Sequence, residues 1–321
     1  MSDPARPHGA PRPTSASAAT PPPQGHPSIT LALWAAAWLD GSAAPDDVIG
    51  ALHDWAPMHL AAAADATAAQ STGLAWPQDS VGAGPVALLA MLRRLGGDLR
   101  LQAALPAPGD VSGLAAGTEH AAAAVEAGET LVVHRVVAGT DACGGCVGLV
   151  PFRESDDVLR WAAYDAHCGG VVAQPPTLGE ARQALRESVR RAGEMLGGMS
   201  RVGGAGDRAR AAVAADLERS RRHVLPPGTP HRTAEVLDSA ASVAAIVRVA
   251  ADGAAGAPDS SGAAGMQEAS LRELADSVRD ARVSATAHAV AELHREAGAA
   301  MRGRPRPEGA RRSSPGRTGP R

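Results

Sequence analysis

The chain has 321 residues, of which 45% are hydrophobic and 20% charged, with a formal net charge of −3, which is typical of a globular protein of about two domains. It contains neither lysine nor asparagine, which excludes a Schiff-base lysine, a phosphate-loop lysine and a kinase-type lysine. Its three cysteines do not form a secreted disulfide framework, and no apolar run approaches the roughly 18 residues of a membrane span, so we expect a cytoplasmic protein.

The first 27 residues are rich in Pro, Ala and Ser and have no apolar periodicity, so residues 1–27 are predicted to be disordered. Three helices follow, each marked by a capping residue or proline at its start and by polar or glycine residues at its end. They are predicted over residues 28–39, 45–55 and 85–95. The stretch VGAGPVA, residues 81–87, matches the G-x-G-x-x-A pattern of dinucleotide-binding loops. No predicted strand precedes it, so it is interpreted as a glycine-rich loop that leads into a helix.

Four segments predict strands. Residues 98–105 alternate between apolar and polar, and residues 130–137 form a β-branched run. A helix that begins after Thr118 separates them, so a right-handed crossover would make these two strands parallel. Residues 146–152 and 158–164 are joined by the polar turn RESDD, which predicts an antiparallel meander with the preceding strand. A small mixed β-sheet with helices is therefore expected over residues 28–172.

Four amphipathic helices with apolar residues at 3,4 spacing are predicted within residues 177–299, which favours an antiparallel helical bundle. Residues 253–265 are a flexible linker by composition. The predicted fold class is therefore α+β: a small mixed β-sheet with helices, followed by a helical bundle, with a disordered tail at each end. Two helix starts carry a capping-box pattern: Thr177 with Glu180, and Ser270 with Glu273.

The stretch DACGGCV, residues 141–147, places Cys143 and Cys146 on either side of two glycines. In the predicted meander this loop lies at the same end of the sheet as His167 and Cys168. The four residues make a Cys3His set, which is an inventory that zinc accepts. Against a metal site, His167 and Cys168 are sequence neighbours and no second C-x-x-C is present. The pattern favours a glycine turn with free thiols and leaves a zinc or thiol-redox site as the alternative.

Two further features have simpler interpretations. His134 lies in an apolar strand, where a lone histidine is typical of a hydrogen-bonded core or edge residue. Residues 302–321 hold seven arginines and one glutamate, which predicts a disordered tail that can contact an acidic partner or nucleic-acid phosphates. The tail lacks aromatic residues for base stacking.

The sequence assigns no catalytic or cofactor-binding residue. It predicts a non-catalytic protein–protein interaction or regulatory module, with a protein partner or a homo-oligomer and no membrane. One alternative is a zinc or thiol-redox protein that uses Cys143, Cys146, His167 and Cys168. The other alternative is nucleic-acid binding through the arginine-rich tail. An enzyme with a cleft between the two regions stays open, without residues to name.

Overall fold

A computed structural model of the chain describes residues 25–76, 84–137, 143–167, 175–197, 205–252 and 261–303. These residues form nine helices and a five-stranded mixed sheet, so the predicted α+β class is confirmed. Most of the two predicted disordered tails and residues 253–260 of the predicted linker lie outside the described residues. The linker prediction is wrong for residues 261–265, which belong to a helix. None of the described helices combines the length and the hydropathy that a membrane span needs.

The N-terminal region alternates helices with all five strands. Two of its helices begin at side chains that accept a backbone hydrogen bond, as N-caps do: Asp65 accepts from Ala68 N, and Thr118 accepts from Ala121 N. The elements are α1 (Pro27–Leu39), α2 (Pro45–His53), β1 (Met58–Ala63), α3 (Ala66–Thr72), α4 (Gly84–Leu95), β2 (Asp98–Ala104), α5 (Glu119–Ala127), β3 (Thr130–Val136), β4 (Cys143–Arg153) and β5 (Val158–Ala166).

The strands are ordered β1-β5-β4-β3-β2. The predicted meander is confirmed, because β3, β4 and β5 pair antiparallel in sequence order. The predicted parallel pairing of β2 with β3 is wrong: the two strands are antiparallel. The connection explains the error, because α5 packs on β4 and β5 and does not cross over the β2–β3 pair. Strand β1, which pairs parallel with β5, was missed because its sequence MHLAAA has little β propensity.

Helix α1 lies at the centre of the molecule and is buried on nearly every side, as expected for a helix that is apolar all round. It packs on strands β2, β3 and β4 and on helices α2 and α9. Trp161 of strand β5 is fully buried, and its indole Nε1 donates a hydrogen bond to His59 Nδ1 at 3.0 Å. This core therefore rests on large side chains from the strands and from α1, such as Leu31 and Leu33, together with the alanines of α1.

The C-terminal region is helical, with α6 (Leu178–Gly197), α7 (Ala205–Ser220), α8 (His231–Ala251) and α9 (Ser261–Gly303). The capping box at the start of α6 is confirmed: Thr177 N donates to Glu180 Oε2 at 2.9 Å, and Glu180 N donates to Thr177 Oγ1 at 3.3 Å. The second predicted capping box is wrong. Ser270 lies inside α9, and its hydroxyl donates to Met266 O at 3.0 Å. Alanine and glutamate around it favour helix, so the helix starts earlier than the cap pattern suggests.

Helix α9 joins the two regions. Val278, Ala281 and Ala285 pack with residues of α6 and α8 in one apolar cluster. Further along the same helix, Val290 and Leu293 belong to the main core, which also contains residues of α1. The last predicted helix of the C-terminal region therefore also completes the core of the N-terminal region.

Candidate metal centre

The β3–β4 hairpin places a histidine opposite a cysteine. His134 of β3 is the direct partner of Cys146 of β4, and Val136 is the partner of Cys143. Directly opposed residues of an antiparallel pair project from the same face of the sheet. His134 and Cys146 are therefore neighbours on one face, next to the end of the hairpin.

A β-bulge brings the second cysteine to that face. Residues three apart in a regular strand project to opposite faces, so a regular strand would separate Cys143 from Cys146. The pairing shifts register between His134 and Val136, and Gly145 has a φ of +143°, which favours glycine. The two sulfur atoms consequently lie 3.0 Å apart. The glycines that predicted a turn therefore also allow the two thiols to lie close together.

Three ligand atoms meet at this end of the sheet. Cys146 Sγ lies 3.2 Å from His134 Nδ1, and one ligand atom each from His134, Cys143 and Cys146 lies within 4.8 Å of the others. Cys146 is buried, His134 is half-buried and Cys143 is exposed. Thiolate and imidazole are the ligands that zinc and other borderline-soft metals take in proteins.

A neighbouring amide orients the imidazole. His134 Nε2 is 3.1 Å from Gln102 Oε1, and an amide oxygen only accepts hydrogen bonds, so Nε2 carries the proton. The lone pair on Nδ1 then faces Cys146, as in metal-binding histidines whose other ring nitrogen donates a hydrogen bond to a neighbouring group. Burial, and then the nearby charge of Arg100, lower the pKa of His134. The ring is therefore neutral at pH 7, as a metal ligand must be.

The two cysteines of the hairpin differ in oxidation state. Cys143 is a free thiol, and it donates a hydrogen bond to Gly145 O at 3.3 Å. Cys146 is disulfide-bonded. The structure therefore represents the oxidised form of the site, and Cys146 becomes a thiolate only after reduction.

The predicted four-residue set is only partly brought together. Cys143 and Cys146 are adjacent, but His167 is exposed just beyond β5 and is not part of this group of described residues. Cys168 lies outside the described residues. His134 was not among the residues predicted for this site. The signal was present, because a hairpin centred on residue 140 pairs residue 134 with residue 146.

Comparisons with known proteins identify relatives. The chain matches the family model "Rv1486c-like protein, N-terminal domain" over residues 28–178 and the corresponding C-terminal domain over residues 179–283. It is 42% identical over 283 residues to "Uncharacterized protein Rv1486c" of Mycobacterium tuberculosis H37Rv, which covers 81% of this chain and 95% of the relative. It is 37% identical over 256 residues to "Uncharacterized protein ML1804" of Mycobacterium leprae, covering 70% of this chain and 83% of the relative. No solved structure shows significant similarity.

Proposed function

The chain belongs to the Rv1486c-like protein family, and we propose that it is a regulatory module that binds zinc in its reduced state. The relatives named above are uncharacterised proteins, so the proposal depends on the chain's own residues. The observation that carries it is the convergence of His134, Cys143 and Cys146, whose ligand atoms lie within 4.8 Å of one another.

Zinc fits this donor set better than harder cations do. Two thiolates and one imidazole are soft or borderline ligands, whereas magnesium and calcium require oxygen ligands. Structural zinc sites are four-coordinate and tetrahedral, so a fourth ligand completes the set. Cys168, a member of the set predicted from the sequence, is the proposed fourth ligand, and a water molecule is the alternative.

Thiol oxidation controls the proposed site. A sulfur atom in a disulfide cannot act as a thiolate ligand, so the form in which Cys146 is disulfide-bonded does not hold zinc through that residue. A dithiol reductant transfers two electrons and two protons to the disulfide and itself becomes an oxidised dithiol. The resulting cysteine thiols lose their protons on binding zinc. Metal binding and oxidation are therefore mutually exclusive, which is the basis of the regulatory role.

The test is the zinc content of the reduced protein. We expect about one equivalent of zinc after anaerobic reduction, zinc loading and desalting, and release of that zinc on oxidation by a disulfide. Cys143→Ser and His134→Gln remove a ligand and should lower zinc retention to a small fraction. His167→Gln is the matched control, because that histidine is exposed and outside the group, and it should retain the metal.

Gln102→Ala tests the orientation of the imidazole. Loss of such an outer partner lowers metal affinity by about 10- to 100-fold, so zinc should bind this variant more weakly while its stoichiometry is unchanged. Absence of zinc from the reduced wild-type protein, or equal zinc in the wild type and Cys143→Ser, would contradict the proposed function.

A protein–protein interaction role is the second candidate. Its support is that three helices of the C-terminal region carry large apolar side chains in contact with solvent: Val189 on α6, Ile246 on α8 and Met266 on α9 are 42%, 50% and 61% exposed. Sedimentation velocity over a range of concentrations tests whether the chain self-associates. We expect Ile246→Ser to weaken any self-association, and a purely monomeric wild type would remove the homo-oligomer form of this candidate.

A further inference from the structure

A cavity lies between the N-terminal region and the helices α7 and α8. It has a volume of about 380 Å³, which lies in the range of small-molecule sites. One wall is formed by α1 and Trp55, and the other by the end of α7, the connection that follows it and α8. A second cavity of about 490 Å³ shares Gly25, His26, Trp55 and Arg282 with the first. The two spaces therefore meet at Arg282.

The wall of the first cavity is mainly apolar. Ile29, Leu33 and Trp34 of α1 line it together with Leu225 and Leu237. Trp34 is fixed, because its indole Nε1 donates a hydrogen bond to Val224 O at 3.0 Å. This surface suits an apolar body.

Two polar residues that line the cavity carry buried atoms without a hydrogen-bond partner in the described part of the chain. They are Ser220 Oγ and His223 Nδ1. The imidazole of His223 stacks on Trp55, with ring centroids 3.7 Å apart and an angle of 9° between the planes. Buried polar atoms are usually satisfied, so two unsatisfied ones beside one cavity indicate a site that a ligand completes.

Arg282 supplies a positive charge at the junction of the two cavities. Its guanidinium donates to His26 Nε2 at 3.1 Å. His26 therefore accepts through Nε2, and its Nδ1 lies 3.6 Å from Glu129 Oε1. Among the described residues Arg282 has no ion pair within 4.0 Å, and Glu129 lies near enough for its charge to raise the pKa of Arg282. Its neighbour Arg248 is paired with Asp216 at 2.9 Å. Burial lowers the pKa of Arg282 to about 10, so the group stays charged at pH 7.

We propose that this cavity binds a small organic anion, with its anionic group on Arg282 and its apolar body against the wall formed by Ile29, Leu33, Leu225 and Leu237. An arginine with unused donors binds a carboxylate through paired, charge-assisted hydrogen bonds. The site uses none of the residues of the metal centre, so it is independent of the proposed zinc function.

The test compares three probes on the full chain at pH 7. Octanoate carries both the anionic group and an apolar body, 1-octanol keeps only the body, and inorganic phosphate supplies only an anion. Binding is followed by tryptophan fluorescence, because Trp34 and Trp55 line the cavity, and by calorimetry. We expect saturable octanoate binding near one equivalent, with octanol and phosphate each at least about tenfold weaker.

Two variants and one control locate the site. Arg282→Gln removes the charge and should weaken octanoate binding at least about tenfold, which corresponds to about 1.4 kcal/mol. Ala241→Phe keeps the charge and fills the cavity that Ala241 lines, so it should also weaken binding. Arg272→Gln, at an exposed position on the same helix, should bind octanoate as the wild type does. Circular dichroism checks that each variant is folded.

Several results would overturn the proposal. They are an absence of saturable octanoate binding, octanol or phosphate binding as tight as octanoate, or unchanged octanoate binding in folded Arg282→Gln. Because Ala241→Phe leaves the buried arginine in place, unchanged binding in that variant also rejects the cavity as the site, even where Arg282→Gln fails to fold.

Discussion

The two regions of the molecule are built from side chains of different size. Among the described residues, all of the largest fully buried side chains lie between Leu31 and Trp161, in the N-terminal region. The apolar cluster of the C-terminal helices is formed by Leu185 and by valines and alanines of α8 and α9. Because hydrophobic stabilisation follows buried apolar area, the N-terminal region has the larger share of it. The C-terminal helices depend more on close contact between small residues.

Both regions contain buried polar atoms without a partner among the described residues, such as Ser28 Oγ in the N-terminal region. In the C-terminal region the hydroxyls of Ser188 and Ser277 pair with each other at 2.7 Å, while Thr233 Oγ1 and Ser284 Oγ are buried without a partner in the described part of the chain. An unsatisfied buried group lowers stability. Helix α9 links the two regions, because its Ala289, Val290 and Leu293 enter the N-terminal core.

The largest effect is expected at Trp161, on the inner strand β5. Trp161→Ala empties a fully buried site and removes the hydrogen bond to His59, so the free energy of unfolding should fall by about 3–5 kcal/mol. Urea denaturation measures the change. Trp76→Ala is the matched control, since Trp76 is 51% exposed, and it should change stability by less than about 0.5 kcal/mol.

Two truncations on α9 compare the regions within one helix. Leu293→Ala removes a side chain from the main core and should cost about 2–5 kcal/mol. Val278→Ala removes one from the C-terminal cluster and should cost about 1–2 kcal/mol. Both are measured by urea denaturation. A larger loss for Val278→Ala than for Leu293→Ala would reverse the ranking of the two regions.

Acid should weaken the N-terminal region through His120. Burial lowers the pKa of His120 to about 4 from 6.5, so between these values the unfolded chain binds a proton that the folded chain does not. The free energy of unfolding therefore falls as the pH drops from about 6.5 towards 4, by about 2 kcal/mol at pH 5 from this residue alone. Urea denaturation at pH 7 and pH 5 measures the loss. His120→Gln should lose less stability over this interval than the wild type. An equal loss in the two proteins would mean that groups other than His120 cause the pH dependence.

The smallest effect is expected at the start of the C-terminal region. Thr177→Ala removes the capping box of α6 and should cost about 1 kcal/mol. Ser270→Ala, inside α9, is the control and should change stability by less than about 0.5 kcal/mol. Thermal unfolding followed by circular dichroism compares them. A loss of stability in Ser270→Ala equal to that in Thr177→Ala would indicate that a helix begins at Ser270, as the sequence pattern predicted.

The predictable part of the fold is the part with local signals. β-branched runs separated by a polar turn predicted the β3–β4–β5 meander, and one capping box predicted the start of α6. The capping pattern at Ser270 failed because helix-favouring residues extend α9 upstream. The β2–β3 pairing failed because strand direction depends on where α5 packs, which is a tertiary property.

The candidate site shows the same limit. The sequence placed Cys143 and Cys146 in one loop, but whether their sulfurs share a face depends on the bulge at Gly145. His134 was missed because its relation to the cysteines depends on the register of two strands, and a shift of one residue would move it to the other face. His167 was included because the predicted meander places it at the same end of the sheet as the hairpin loop, but a shared end of the sheet does not by itself bring two side chains within ligand distance.

Zinc K-edge X-ray absorption of the reduced, zinc-loaded protein tests the central claim most directly. The account predicts at least two sulfur neighbours at about 2.3 Å and one nitrogen neighbour at about 2.0–2.1 Å, with a third sulfur if Cys168 is the fourth ligand. One sulfur should disappear in Cys143→Ser. A shell made only of oxygen and nitrogen, or a spectrum that is unchanged in Cys143→Ser, would contradict the thiol–imidazole centre.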